Sequence, residues 1–394
     1  MQTTYLGIDF GTTGCRACII DGSGTVLAEA AEPLPQPLRN GECVEQDPSL
    51  WWGALERLIT ALPGRFRAQL KSMAIDGTSG TVLLADRDGT PITPALMYND
   101  ARAPGEPRGQ WLLQHHPEAA QLHSQADWLI YHLTRRHVCD SNNALKLGWD
   151  AEAGHWLAGG PLPEVVDAGT PLGTITPEMS AHFGLPDDLT ICAGTTDSTA
   201  AFIASGATQP GEAVTALGST LVLKVISEQP LFAPEYGIYS QPLGDLWLVG
   251  GASNCGGAVL RQFFTDEQMA AMTPQLKPEQ PTGLDYYPLP SPGERFPIND
   301  PTLTPRLEPR PESDIEFFQG ILEGIARIEK AGYDKLAELG APYPTSIRSN
   351  GGGARNRGWT KIREGLLGIP MVEALQSEAS FGTALLARDG LSKV

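Results

Sequence analysis

Apolar residues near the start of the chain gather in short runs, Tyr5 to Ile8, Arg16 to Ile20 and Thr25 to Ala30. Turn residues separate them at Gly11-Thr12-Thr13-Gly14 and Asp21-Gly22-Ser23-Gly24, so three short strands are predicted. The spacing then changes. From Pro48 to Leu62, apolar residues recur at Leu50, Trp51, Leu55, Leu58 and Ile59, which predicts a helix with Asp47 as its N-cap. Lys71 to Ile75 returns to a strand, runs into Asp76-Gly77-Thr78-Ser79-Gly80-Thr81, and is followed by a strand from Val82 to Ala85.

The second half repeats this order. Leu189 to Ala193 is predicted as a strand entering Gly194-Thr195-Thr196-Asp197-Ser198, with a helix from Thr199 to Ala204. A hairpin follows around Gly218-Ser219-Thr220, then a strand from Leu246 to Val249. An amphipathic helix from about Ser313 to Leu339 carries Ile315, Phe318, Leu322, Ile325 and Ile328 on one stripe. A strand from Ser346 to Ser349 leads through Gly351-Gly352-Gly353 to a helix ending at Leu367. The prolines between Pro274 and Pro311 predict a surface loop. Three antiparallel strands, a helix and a further strand, written twice, describe an α/β chain. The expected form is two ribonuclease-H-like domains of the actin, hexokinase and heat-shock ATPase type with an interdomain cleft, residues 1–190 and 191–394.

The two Gly-turns carry the chemistry. Asp9-Phe10-Gly11-Thr12-Thr13 and Leu217-Gly218-Ser219-Thr220 each join two strands. Glycine lets the main chain come close to an anion, and the neighbouring amides and hydroxyls supply donors. Two such hairpins facing each other would grip the phosphates of one nucleotide from both sides.

Composition narrows the partners. Lys+Arg 28 against Asp+Glu 46 gives a formal charge of −18, and 41% of residues are hydrophobic. So acidic a chain repels nucleic acid and anionic membrane. Met1-Gln2-Thr3-Thr4-Tyr5 has no basic or apolar leader character, so no secretory signal is expected. Six scattered cysteines are expected to be reduced, in a cytoplasmic protein. Cys15-x-x-Cys18 has redox spacing, but along a strand the two point to opposite faces. The seven histidines show no metal spacing, and neither a P-loop nor a zinc-type Cys cluster occurs.

Four segments stand in a specific order: Asp9-Phe10-Gly11-Thr12-Thr13, Met97-Tyr98-Asn99-Asp100-Ala101-Arg102, Ala193-Gly194-Thr195-Thr196-Asp197, and Gly351-Gly352-Gly353-Ala354-Arg355-Asn356. That order and spacing, with the helix from Gln125 to Thr134, resembles the FGGY family of carbohydrate kinases, in particular its compact D-ribulose and xylulose kinase-like members. The resemblance implies an ATP-dependent, Mg2+-assisted transfer of phosphate to a small ketose, most simply a pentulose, at its terminal hydroxyl. It implies Asp197 as the general base, where the plainer alternative is a helix cap. Asp9 would organise Mg2+ through water and orient a substrate hydroxyl, unless it only shapes its turn.

Thr12 and Thr13 would donate to the β- and γ-phosphates beside Gly11. Arg16 would reach the transferring group or be an exposed strand charge. Gly218, Ser219 and Thr220 form the second phosphate turn, and Gly352, Gly353 and Asn356 the adenosine site. Ser79, Tyr98 and Asp100, with Asp9 and Asp197, are expected at the sugar. Arg102 would bind substrate or pair with an acidic neighbour. Trp51 or Trp52 would stack on the sugar, or be core. The partner is a small-molecule sugar, and the protein a monomer or small homo-oligomer. Two other readings share the fold: an actin- or chaperone-like ATPase and a catalytically weak sugar sensor.

Overall fold

The computed structural model describes residues 3–390. Met1 and Gln2, on which the leader argument partly rests, lie outside them. The chain forms two compact units. One takes in the chain up to Ala204, with Pro242–Gly244 and the segment from Gln376 onward; the other takes in Ser205–Gln241 and Asp245–Leu375. This differs from a single boundary near residue 190. Asp197 belongs to the first unit, and so does the last helix, Ala379–Asp389, because it packs on the first sheet.

In the first unit, β1 (Thr4–Phe10), β2 (Gly14–Asp21), β3 (Val26–Pro33), β4 (Leu70–Gly77), β5 (Pro171–Thr174) and β6 (Thr190–Cys192) form one sheet in the order β5-β6-β4-β1-β2-β3. The first three are an antiparallel meander. β4 is parallel to β1, and β6 is parallel to β4. The carboxyl ends of β1, β4 and β6 therefore emerge side by side.

Strand alternation sends Leu6, Ile8 and Phe10 to one face, where α1 (Pro48–Ala61) packs with Trp51, Leu55, Leu58 and Ile59 in the same core. Each of these buried side chains stabilises by roughly 1.5–3 kcal/mol relative to exposure. Asp47 caps α1 by accepting from the Ser49 N–H at 2.9 Å. The opposite face carries Gly7 and Asp9. There the last helix lies so close that a Cβ on Gly7 would sit 2.1 Å from the Ala384 nitrogen, so only glycine permits the contact. Cys15 and Cys18 fall in the cores on opposite faces, and burial pushes both thiols up to about 12. α2 (Gln125–Thr134) is capped by Ser124, and α3 (Asp197–Ala204) opens at Asp197. A separate sheet of five strands contains Val82–Ala85 and Gln121–Ser124.

The second unit repeats the scheme. β7 (Glu212–Leu217), β8 (Leu221–Ser227), β9 (Tyr239–Leu243), β10 (Leu246–Ser253) and β11 (Ser346–Asn350) run in the order β9-β10-β8-β7-β11. β7, β8 and β10 are antiparallel, and β11 is parallel to β7, as β4 is to β1. α4 (Asp314–Glu338) lies between β10 and β11 in sequence, and α5 (Arg357–Leu367) follows β11. Phe317, Phe318, Ile321, Leu322, Ile325 and Ile328 form the buried stripe of α4.

The segment from Pro274 to Pro311 is largely irregular, as its prolines require, but it is not surface throughout. Tyr286, Leu289 and Phe296 are buried in the core of this unit. The buried Glu294 accepts from Ser253 Oγ at 2.6 Å and from the Asn254 N–H at 2.8 Å. Prolines exclude helix and sheet, not burial. Among the described residues no helix is long and apolar enough to cross a membrane.

Candidate active site

The ends of the three parallel strands bring acidic residues together. Asp9, next to last on β1, is in register with Asp76 on β4, and Gly77 bridges to Thr196, the residue before Asp197. The two side chains lie on the same face of neighbouring parallel strands and act on each other electrostatically. Asp76 is fully buried. Thr383 Oγ1 of the last helix donates to its Oδ2, and no protein N–H or O–H reaches its Oδ1.

Burial, then the charge of Asp9, pushes the Asp76 carboxyl well above the usual carboxylate range, and Asp197 adds to the push. Burial also raises Asp9, opposed by the neighbouring Asp76 side chain and by the Arg16 charge.

Asp197 is half-buried at the start of α3 and accepts from the Ser198 N–H at 2.7 Å. Its carboxylate thus meets the backbone of its own helix while its charge reaches Asp76. Thr12 and Thr13 sit at the tip of the β1–β2 turn, Thr13 exposed, and the turn closes through the Gly11 N–H to the Gly14 carbonyl at 2.9 Å. Arg16 on β2 lies 3.9 Å from Asp9 and 3.5 Å from Glu378. With Arg16 57% and Glu378 48% exposed, that pair contributes at most about 1 kcal/mol and leaves Arg16 free to move.

The residues expected at the sugar separate. Ser79 is half-buried in the turn after β4, and Tyr98 is exposed. Asp100 faces inward. Its carboxylate accepts from the Val44 N–H at 2.7 Å and from Arg102 Nη2 at 2.8 Å, and Arg102 also reaches Glu45 at 2.7 Å. Burial alone would raise Asp100, but the bonds from Arg102 and Val44 overcome it and hold the carboxyl below its usual range. The Asp100 oxygens are committed to the protein. Trp51 is core and donates to Gln46, while Trp52 donates to Glu56 and stacks near His182.

In the second unit, Gly218, Ser219 and Thr220 make the β7–β8 turn. The Gly218 and Ser219 carbonyls accept from Gly257 and Ala258, which fixes the turn against the next segment. Gly352 is open, but a Cβ on Gly353 would lie 2.5 Å from the Trp359 ring and 2.8 Å from Leu217 Cβ. Asn356 caps α5, accepting from the Trp359 N–H at 2.9 Å, and donates to Thr273. Glycine at 353 and asparagine at 356 therefore have structural reasons of their own.

Both halves of the chain match known families in sequence. Residues 4–109 match the N-terminal domain, and residues 213–388 the C-terminal domain, of the FGGY family of carbohydrate kinases.

The chain belongs to the FGGY family.

It is a carbohydrate kinase, and ATP is the phosphate donor of the family. The xylulose kinase of Escherichia coli is 25% identical over 91% of this chain and 84% of its own length. A xyloylose kinase structure from Brucella ovis superposes with a TM-score of 0.90 at 22% identity, covering 99% of this chain and 91% of its own. A gluconate kinase from Lactobacillus acidophilus reaches 0.82 at 18% identity, covering 99% and 90%. Relatives named for a ketose and for a sugar acid share this fold, so the fold does not choose the sugar.

Sequence reasoning passed over Asp76, Thr383 and Glu378. One signal was available: Ile8-Asp9 and Ile75-Asp76 end two strands in the same way. No local signal pointed to Thr383.

Proposed function

We propose that this kinase phosphorylates a pentulose, D-xylulose or D-ribulose, at its terminal hydroxyl. The observation that carries the reading is Asp197 opening α3 at the end of the parallel strands, beside the Asp9–Asp76 pair. The similarity to enzymes named xylulose kinase supports the choice of sugar.

Asp197 accepts the proton as the sugar oxygen attacks the γ-phosphorus and the bond to the leaving ADP oxygen breaks. A positioned carboxylate is worth about 10²–10⁴-fold in rate. Asp9 orients the acceptor, Thr12 and Thr13 donate to phosphate oxygens, and Arg16 exchanges Glu378 for the transferring group. Gly218, Ser219 and Thr220 form the second phosphate turn, with Gly352 the open main chain on the adenosine side. Ser79 and Tyr98 stand at the sugar. Asp100 and Asn356 keep the structural bonds described above.

The donor set at Asp9 fits Mg2+. It is carboxylate oxygen, the Asp9 side chain with Asp76 in register on the neighbouring strand. Among the described residues, Asp9, Asp76 and Asp197 do not converge into a three-ligand cluster, which suits an ion that keeps most of its waters and is carried by substrate phosphates. When bound, the ion would neutralise phosphate charge, with Asp9 holding it through water. Asp127, Cys139 and Asp140 do converge, but Asp140 caps its own helix and a neutral buried thiol does not suit Mg2+. The six cysteines, all free and five of them buried, suit a reducing, cytoplasmic setting.

ADP release measured across a panel of D-xylulose, D-ribulose, L-ribulose, gluconate and glycerol tests the reading. Stimulation by one pentulose, lost in Asp197→Ala, supports it. Sugar-independent turnover would assign an ATPase, and sugar binding without turnover a sensor.

A further inference from the structure

We propose that Arg108 is a specificity-determining residue: its guanidinium fork reads the acceptor oxygens at the non-reacting end of the sugar. The inference rests on the kinase reading and names what recognises the far end of its substrate.

Arg108 opens the helix Arg108–His115. Its Nε donates to the Asp100 carbonyl at 2.9 Å, which fixes the guanidinium on the segment that carries Tyr98. Its Nη1 lies against the turn that carries Ser79, since a Cβ on Gly80 would sit 3.6 Å from it. The two segments are already joined. The Thr81 N–H closes the turn onto the Thr78 carbonyl, and Thr81 Oγ1 accepts from the Tyr98 N–H, both at 3.2 Å. Ser79, Tyr98 and the Arg108 fork therefore share one corner of the first unit. That corner is near the strand ends. Gly77, the last residue of β4, bridges to Thr196 beside Asp197. The three residues from Gly77 to Gly80 extend at most about 11 Å, the scale of a small sugar.

What the fork lacks is an acceptor. Among the described residues, the bond from Nε is the only one its side chain makes, and it enters no ion pair. Asp100, the carboxylate whose charge reaches it, is committed to Arg102 and the Val44 N–H. Half burial strips hydration from the guanidinium, and no bonded carboxylate offsets the loss. Holding the Asp100 carbonyl needs one N–H. A guanidinium has five in a fixed plane and no acceptor, so it complements two neighbouring acceptor oxygens. A ketose presents such a pair at its unphosphorylated end, as the C2 carbonyl and the adjacent hydroxyl. A sugar acid presents it as a carboxylate.

Steady-state kinetics of Arg108→Met, which keeps the stem and removes every donor, test the proposal in the full chain. The KM for the pentulose should rise about 10–100-fold, the worth of hydrogen bonds from a charged group. kcat should stay within about threefold of the parent and the KM for ATP unchanged, because the lost contact binds ground state and transition state alike. Arg108→Lys, a point charge without the fork, should recover only part of the loss. Calorimetric binding of D-xylulose and D-ribulose to Asp197→Asn, with and without Arg108→Met, should show the same weakening without turnover. A lowered thermal midpoint with an unchanged sugar KM, measured where the variant is folded, would make Arg108 purely structural and overturn the proposal. A rise confined to the KM for ATP would place the fork on the nucleotide and overturn it too. A parent that takes gluconate and no pentulose overturns the pentulose reading alone. The Arg108→Met loss must then appear on gluconate, and its absence there overturns this inference as well.

Discussion

Arg363 donates two hydrogen bonds of 2.6 Å to Glu329, and both side chains are completely shielded from solvent. Glu329 belongs to α4 and Arg363 to α5. Glu329 also accepts from Thr215 of β7 at 2.6 Å, and Arg363 reaches Ser349 of β11 at 2.7 Å. One buried pair therefore pins two helices to the two parallel strands whose ends carry Gly218 and Gly351. Removing one partner leaves a buried charge unpaired. Arg363→Met is expected to destabilise the second unit by about 3–5 kcal/mol. Replacing both, in Glu329→Leu with Arg363→Met, should recover a large part of that loss, as measured by denaturant unfolding. A double variant as unstable as the sum of the two singles would show that the two side chains are energetically uncoupled.

Asp197→Asn should lower kcat for the pentulose by about 10²-fold or more, since an amide takes no proton. Asn still accepts from the Ser198 N–H, so the thermal midpoint should hardly move. Equal losses in activity and midpoint would reduce Asp197 to a helix cap.

Asp100→Ala should act on stability before catalysis. It strands Arg102 and the Val44 N–H, whose bonds the carboxylate satisfies. Loss of hydrogen bonds to a charged group predicts about 1.5–3 kcal/mol of destabilisation. The sugar KM, measured at a temperature where the variant is folded, should stay near the parent value. A selective rise in that KM would return Asp100 to the sugar.

Gly353→Ala should cost about 1–3 kcal/mol through overpacking against Trp359 and Leu217. Gly352→Ala, with no atom in the way of its Cβ, should leave stability unchanged. The contrast, read by thermal unfolding, separates packing glycine from open glycine within three consecutive residues.

Acid should weaken the first unit through His123. Burial, with the nearby His137 and His132, holds this imidazole well below its ordinary range. Burial also lowers His132 and His137. The unfolded chain takes up a proton near pH 6.5 that the folded chain refuses, so stability is present above that pH and lost as pH falls below it. For one group the slope is about 1.4 kcal/mol per pH unit. His123→Phe should flatten the fall in unfolding free energy between pH 6.5 and 5 by about one proton's worth. An unchanged slope would show that His123 is charged in the folded protein.

The duplication, the two Gly-turns and the periodic helices at Pro48–Ala61 and Asp314–Glu338 were legible because each is a local pattern. Strand, turn and helix signals are written within a dozen residues of one another. The places of Asp9, near the end of a strand, and of Asp197, at the start of a helix, were legible for the same reason, since each lies beside turn residues. Asp100, Asn356 and Gly353 carry the same kind of local signal, yet the bonds and packing they make serve the fold.

What only the tertiary structure decided is which of these residues look outward and which are held from behind. Asp76 meets Asp9 because β4 pairs with β1, and it meets Thr383 because the last helix crosses that same face. Asp100 turns inward because Arg102 and Val44 wait there, and the proline-rich segment folds its aromatics into the core. Chain-local preferences set the elements of this protein. Pairing and burial between distant segments determine the surroundings of each charged group, and those surroundings set what the group can do.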